Sequence, residues 1–315
     1  MTTPLVSVIC LCHNQGRFVR QALDSVVAQT YPAWELLVVD DASTDDSPAQ
    51  IRAFAAEYPA TKAIFLLENR GNCRAFNLAL RESRGEYILD LAADDRLRPD
   101  RLARQLEGFQ QVADDVGVLF HNAAFIAESG QRTGTFFPVD ASQKPTVVVP
   151  EGDLFAALLR HRPVCAPTML VRRAVFDELG GYDETLAYED FDFWVRSARR
   201  WQYVFQHEIL TEKRVLRGSL GSRFYEKENP LLPSALVVCR KAKTLSRTDD
   251  ERDALRFRVR YFLRQSWYTH HFALAEGFFE LLEKPDVLSR LVRAACRARV
   301  PVHGLYRFYL WLKGV

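Results

Sequence analysis

The chain has 315 residues, 48% of them hydrophobic and 26% charged, with a formal net charge of +2 at pH 7. That is the composition of an ordinary globular protein, long enough for one large domain or a domain with an appendage. No apolar run approaches the roughly 20 residues that a membrane-spanning helix needs, and MTTPLVSVICL reads as a strand without the basic leader of a signal peptide. The charge is uneven: residues 251–315 hold twelve Arg/Lys and six Asp/Glu, or +6, which leaves −4 for residues 1–250. Such a basic segment suits an anionic partner, a membrane surface or a phosphorylated acceptor, or else a solvated helical face. The six cysteines are scattered without a paired CxxC arrangement, which fits buried reduced thiols in a cytosolic protein.

In chain order, Val6–Leu11 reads as a buried strand followed by the polar turn His13-Asn14-Gln15-Gly16. From Phe18 the apolar residues Val19, Leu23, Val26 and Val27 recur at helical spacing until Tyr31-Pro32. Glu35–Val39 is a second strand, and Ser43 or Thr44 is placed to cap a helix carrying Ile51, Phe54 and Ala55. Ala63–Leu67 is a third strand. Gly71 opens a helix through Ala75, Leu78, Ala79 and Leu80, and Gly85 closes it. Tyr87–Leu91 is a fourth strand, and Pro99 starts a helix through Leu102, Leu106 and Phe109. This alternation over about 110 residues predicts a three-layer α/β sheet, mostly parallel.

The middle is less regular. Val116–Ile126 reads as a strand, Glu128–Pro145 as a turn-rich loop, Leu154–Leu159 and Arg173–Glu178 as helices with the strand Thr168–Val171 between them. Gly180-Gly181 stops the second helix, and Glu189–Arg200 forms another. Beyond about Leu231 the pattern is wholly helical. The expected division is therefore a domain over residues 1–225 and a helical region over 226–315.

Two of the strands stop on paired aspartates, Asp40-Asp41 and Asp94-Asp95. Ligands of parallel sheets bind beyond the carboxyl ends of the strands. Carboxylates there can hold a nucleotide base or ribose and a hard divalent cation, which points to an enzyme acting on a sugar nucleotide.

The segments VSVICLCHNQGRFVRQALDSVVAQTYPAWELLVVDDASTDDS (6–47), GNCRAFNLALRESRGEYILDLAADDRLRPDRL (71–102) and GGYDETLAYEDFDFW (180–194) together resemble the family-2 inverting glycosyltransferases. The resemblance covers roughly residues 4–222 and implies their A-type nucleotide-sugar fold, a Rossmann-like sheet, here with a C-terminal helical appendage. By this resemblance Asp41 accepts from the nucleotide base, most readily a uracil N–H, and Asp40 lies alongside. His13 and Asn14 sit where base and ribose would lie. Asp95 ligates Mg²⁺ or Mn²⁺ while Asp94 binds ribose or supports the metal, oxygen ligands being suited to hard cations. Asp190 is the general base that takes the proton from an acceptor hydroxyl, so that in-line attack inverts the anomeric carbon.

Two departures stand out. The family pattern has a further acid where this chain has Ala92, and a histidine where it has Leu216. Lys213, Arg214 or Arg217 are candidates to face the diphosphate instead, as are Arg70 and Arg74 near the third strand. The resemblance implies a nucleotide-sugar donor, most readily a UDP-sugar. It also implies a saccharide or lipid-linked acceptor of surface polysaccharide or glycolipid synthesis. The expected location is the cytoplasm, with the basic C-terminal helices as a candidate contact to the inner face of the membrane. A homologue that binds nucleotide or glycan without catalysis is the alternative that Ala92 and Leu216 favour. CHNQGR is a poor phosphate loop for a nucleotidyltransferase, no GxGxxG follows a strand, and no nucleic-acid module is recognisable. Near the end, Arg290, Arg293 and Arg297 share a helical face, and Leu305, Tyr306, Phe308, Tyr309, Leu310 and Trp311 form an apolar-aromatic cluster flanked by Arg307 and Lys313. That pattern fits an interfacial membrane anchor, or a helical appendage that packs on the domain or forms a dimer.

Overall fold

The computed structural model describes residues 3–216, 222–227 and 229–313. Two compact units emerge, the first from 1–154, 163–184 and 200–216, the second from 155–162, 185–199 and 217–315. The helices beyond residue 225 are thus joined by two segments from the middle of the chain.

The first unit holds nine strands: β1 (Val6–Cys12), β2 (Trp34–Asp40), β3 (Lys62–Phe65), β4 (Tyr87–Ala92), β5 (Arg96–Leu97), β6 (Val116–Ile126), β7 (Arg132–Thr135), β8 (Leu170–Arg172) and β9 (Gln202–Arg214). Their order in the sheet is β3-β2-β1-β4-β8-β6-β9-β5, with β7 on β6. From β3 to β4 every pairing is parallel. Beyond β4 the sheet is mixed, β8 running antiparallel to β4 and β6, and β9 parallel to β6.

Helices α1 (Gly16–Val27), α2 (Ser47–Glu57) and α4 (Arg101–Phe109) cover one face of the parallel strands, and α3 (Asn72–Glu82) lies on the other. On the first face Val6, Val8, Cys10, Leu36, Val38, Leu89 and Leu91 pack with Val19, Leu23, Val26, Ile51, Phe54, Leu102 and Leu106. Those helical residues recur at i, i+3 and i+4, the spacing that puts one apolar stripe against a sheet. α3 contributes Ala75, Phe76, Ala79 and Leu80, with the Phe76 ring 5.2 Å from Phe176 on α6 (Arg173–Leu179). α6 ends at Gly180, whose φ is 71°.

Several local expectations change. α2 is not capped by Ser43 or Thr44: it begins at Ser47 after Asp46, and the two hydroxyl residues bond the β1–α1 turn instead. Gly85 does not cap α3, which ends at Glu82 with Ser83 as its cap. A Cβ at Gly85 would lie 2.4 Å from the Ser7 nitrogen, so the residue is glycine because the chain crosses β1 closely there. The segment 128–145 contains β7. Lys213 and Arg214 end the long strand β9. Leu67 is fully exposed, β3 having ended at Phe65.

The second unit is helical: α5 (Phe155–Arg160), α7 (Glu189–Ser197), α8 (Leu231–Leu245), α9 (Asp249–Tyr268), α10 (Phe272–Glu280), α11 (Val287–Arg297) and α12 (His303–Lys313). The 20-residue α9 starts on a reciprocal cap, Thr248 Oγ1 accepting from the Glu251 N–H and the Glu251 carboxylate from the Thr248 N–H. Buried Arg258 donates to the carbonyls of Leu159 and Arg160, supplying partners that the end of α5 lacks. All six cysteines are buried and none forms a disulfide.

Candidate functional site

In the first unit the loops after β1, β2 and β3 are stitched together by polar side chains. The Asn14 N–H donates to Ser43 Oγ at 2.9 Å, and Asn14 Oδ1 accepts from the Thr44 N–H at 2.8 Å. Asn14 and Ala42 both sit at positive φ, 55° and 54°, and such strained turn residues cluster at functional sites. His13 Nδ1 lies 2.8 Å from the Asp41 carbonyl oxygen. A carbonyl can only accept, so Nδ1 carries the proton, and Nε2 is left to accept from the Asn14 amide at 3.1 Å. The Asn69 amide nitrogen lies 3.2 Å from the same ring.

Asp40 and Asp41, both buried, do different work. The Asp41 carboxylate accepts the Arg70 N–H at 2.7 Å and the Gly71 N–H at 2.9 Å, one on each oxygen. Gly71 has φ 80° and ψ 161° and opens α3, so Asp41 holds the entry of that helix in a conformation that favours glycine. Each oxygen keeps a further lone pair for a ligand. Asp40 Oδ2 accepts the Ser43 N–H at 3.1 Å, while Oδ1 is buried without a hydrogen-bond partner among the described residues. A buried acceptor left in that state calls for a donor.

Asp94 and Asp95 form the turn from β4 into β5. Asp95 is buried and its Oδ1 accepts the Arg214 N–H at 2.8 Å; Asp94 is half-buried. Burial, and then the neighbouring Asp94 charge, push the Asp95 carboxyl up to about 7, while burial also raises Asp94. Two desolvated carboxylates side by side are an anionic site relieved by a cation. Among the described residues no group of three or more His, Cys, Asp or Glu is arranged to hold a metal. A hard cation held by this pair would draw its remaining ligands from outside the pair.

Arg214, one of three candidates to face a diphosphate, has its guanidinium engaged within the protein. Its guanidinium turns inward, donating to the carbonyls of Asp94, Ala127 and Glu128 and to Gln21 Oε1, and it stacks 4.4 Å from the Phe18 ring centre. Arg217 lies outside the described residues. Arg70 and Arg74 are on the surface, paired with Glu68 and Glu184 at 3.4 and 3.8 Å. Ala92 is exposed at the end of β4.

A residue not singled out in the sequence is Arg101, fully buried at the start of α4. It donates to Gln105 Oε1, Thr211 Oγ1 and the Met169 carbonyl. Burial drives its pKa down to about 9, a fall that the Asp95 charge opposes. The visible signal is the row Arg101, Gln105, Phe109, which sets two polar residues at i, i+4 on the buried side of an amphipathic helix.

In the second unit, α7 presents Glu189, Asp190 and Asp192 in its first turn, where acids suit the helix dipole. Phe191, Phe193, Trp194 and Val195 are buried and fix the helix. Asp192 is buried and bridged at 2.6 Å by both Arg196 and Lys241, so it is a structural ion. Asp190, two residues earlier and 200° around the helix, is half-buried.

Residues 7–180 match the sequence profile of glycosyl transferase family 2, and the chain belongs to that family. A Bacillus subtilis (strain 168) protein, TuaG, provisionally named a teichuronic acid biosynthesis glycosyltransferase, is 36% identical over 220 residues, 70% of this chain and 82% of its own. An uncharacterised glycosyltransferase of Rickettsia typhi (strain ATCC VR-144 / Wilmington) is 29% identical over 214 residues; the match spans 68% of this chain but only 64% of the relative. Among solved structures, S. aureus TarS in complex with UDP superposes with a TM-score of 0.68 at 18% identity, covering 93% of this chain and 87% of that one. The mannosyltransferase PcManGT from Pyrobaculum calidifontis, in complex with GDP-Man and Mn²⁺, gives a TM-score of 0.58 at 18% identity, with 98% and 84% covered. These similarities bear on the fold, which is the A-type glycosyltransferase fold with a helical C-terminal region.

Proposed function

We propose that the chain transfers a sugar, with inversion, from a nucleotide-sugar to a hydroxyl of a saccharide or lipid-linked acceptor, and that it needs Mn²⁺ or Mg²⁺. The observation that carries this reading is the desolvated pair Asp94-Asp95 at the end of β4, in a chain of this family. UDP is the favoured nucleotide, in line with the UDP-bound relative of similar fold, and a surface polymer is the favoured product class, in line with the name of TuaG.

His13, Asn14, Asp41 and Arg74 are assigned to the donor, with Asp41 accepting from the base through a lone pair that the Arg70 and Gly71 amides leave open. Asp40 Oδ1 is a further acceptor available to base or ribose. Asp94 and Asp95 would hold the cation, which supplies positive charge to the departing diphosphate. Asp190 takes the acceptor proton as its oxygen bonds to the anomeric carbon and the diphosphate leaves. A positioned base is worth about 10²–10⁴ in rate. Asp190→Asn should therefore lose that factor in transfer from a UDP-sugar while still binding UDP. Wild-type rates in that variant would remove Asp190 from the mechanism.

A second reading, a homologue that binds without catalysis, is favoured by Ala92 at the third-acid position and by Leu216. Mn²⁺-dependent transfer or hydrolysis of a UDP-sugar would exclude it.

A further inference from the structure

Helices α11 and α12 leave on the surface the faces that amphipathic helices of a globular unit ordinarily bury. α11 is anchored through Ser289, Val292 and Cys296, while Val287 (70% exposed), Leu288 and Leu291 (61%) face solvent. α12 is anchored through Leu310 and through Tyr306, whose hydroxyl donates to Gln265 at 3.0 Å. Its remaining arc carries Leu305 (75%), Phe308, Tyr309, Trp311 (72%) and Leu312. Four of these, Leu305, Phe308, Tyr309 and Leu312, fall at i, i+3, i+4 and i+7 and form one stripe. Single exposed apolar side chains are unremarkable; a run of them on two successive helices marks an interaction surface.

The charge says what kind of surface. From residue 287 to 315 the sequence has six cations (Arg290, Arg293, Arg297, Arg299, Arg307 and Lys313) and no Asp or Glu. Arg293 and Arg297 are engaged by Glu276 of α10. Arg290, Arg299 and Arg307 have no carboxylate partner among the described residues. A second copy of the chain is a poor occupant, because a two-fold contact would set this acid-free face against itself. Nucleic acid is a poor one too, since five of the eight exposed side chains are aliphatic and offer no ring for a base to stack on. Among the described residues no helix is long and apolar enough to cross a membrane.

We propose that α11 and α12 form a peripheral membrane-binding surface for an anionic leaflet. The apolar and aromatic side chains enter the boundary between headgroups and acyl chains, and the unpaired arginines meet the lipid phosphates. This surface goes beyond sugar transfer and is tested without it.

The test is co-sedimentation of the full chain with vesicles of phosphatidylcholine alone and with vesicles that also contain phosphatidylglycerol. The chain should pellet with the anionic vesicles only, less so as salt rises. The double variant Phe308→Ser/Trp311→Ser should stay in the supernatant with its circular dichroism unchanged, both side chains being exposed. Arg290→Gln and Arg307→Gln should each weaken binding about fivefold. Absence of pelleting with anionic vesicles would overturn the proposal, as would equal pelleting of the double serine variant. A dimer in sedimentation velocity, or retention on RNA, abolished by the same two serines would overturn it in favour of those partners.

Discussion

The two aspartate pairs look alike in sequence and differ in physical state. At the end of β2, Asp41 is satisfied by the amides of Arg70 and Gly71 and serves the fold whether or not a ligand is present. At the end of β4, Asp95 is buried beside a second carboxylate, and burial together with that charge raises its pKa to about 7. Asp41 is thus held by two backbone donors, whereas Asp95 has one, the Arg214 N–H, and a carboxylate beside it. Acids repeated at strand ends need not share a role; what separates them is how many backbone donors each meets and what charge lies beside it.

The sharpest way to break this comparison is to neutralise one member of each pair. Asp95→Asn should lower metal-stimulated transfer by about 10³, the few kcal/mol ascribed to a cation on the leaving group. Its melting temperature should hold or rise, since a repulsion is removed. Asp41→Asn should do the reverse in kind: an amide must face two N–H donors, which costs about 1–3 kcal/mol of stability, read as a lower melting temperature. If Asp41→Asn melts like the wild type, the β2 pair is not the fold element described.

Titration sharpens the same contrast. The Asp95 carboxyl is raised to about 7, so in metal-free protein the folded state keeps a proton that the unfolded chain has lost. Stability from this group is then greatest below the ordinary aspartate range, falls as the pH rises toward 7, and is level above it. Metal binding must displace that proton, so Mn²⁺ affinity should rise about tenfold per pH unit up to 7 and then flatten. Melting curves and Mn²⁺ titrations across pH, each with an EDTA control, measure both. The smallest effect expected is from Ala92→Asp, which restores the family's third acid at an exposed position and should tighten Mn²⁺ about fivefold, a solvent-screened Coulomb term. No change would mean that Ala92 lies out of reach of the cation.

The alternating part of the fold was legible in the sequence because its signals are periodic. The apolar stripe of α1 and the apolar runs of β1, β2 and β4 recur as expected, and β6 has the expected bounds Val116–Ile126. β9 was not legible: its pairing with β6 shifts register at three places, and the charged residues Glu208, Glu212 and Lys213 interrupt any alternation. The paired acids were legible as chemistry but not as environment. Nothing in the letters of Asp41 and Asp95 says that one meets two amides and the other one amide and a neighbouring carboxylate. Arg214 shows the same limit, a basic residue in a plausible place whose guanidinium is consumed by backbone carbonyls of loops distant in sequence.

The most direct test of the account is calorimetric titration of UDP into the wild type and Asp95→Asn, each with and without Mn²⁺. The account predicts that Mn²⁺ tightens UDP binding to the wild type and that Asp95→Asn loses this increment while keeping the metal-free affinity. Equal UDP affinity with and without Mn²⁺ in the wild type, or no UDP binding at all, would contradict it.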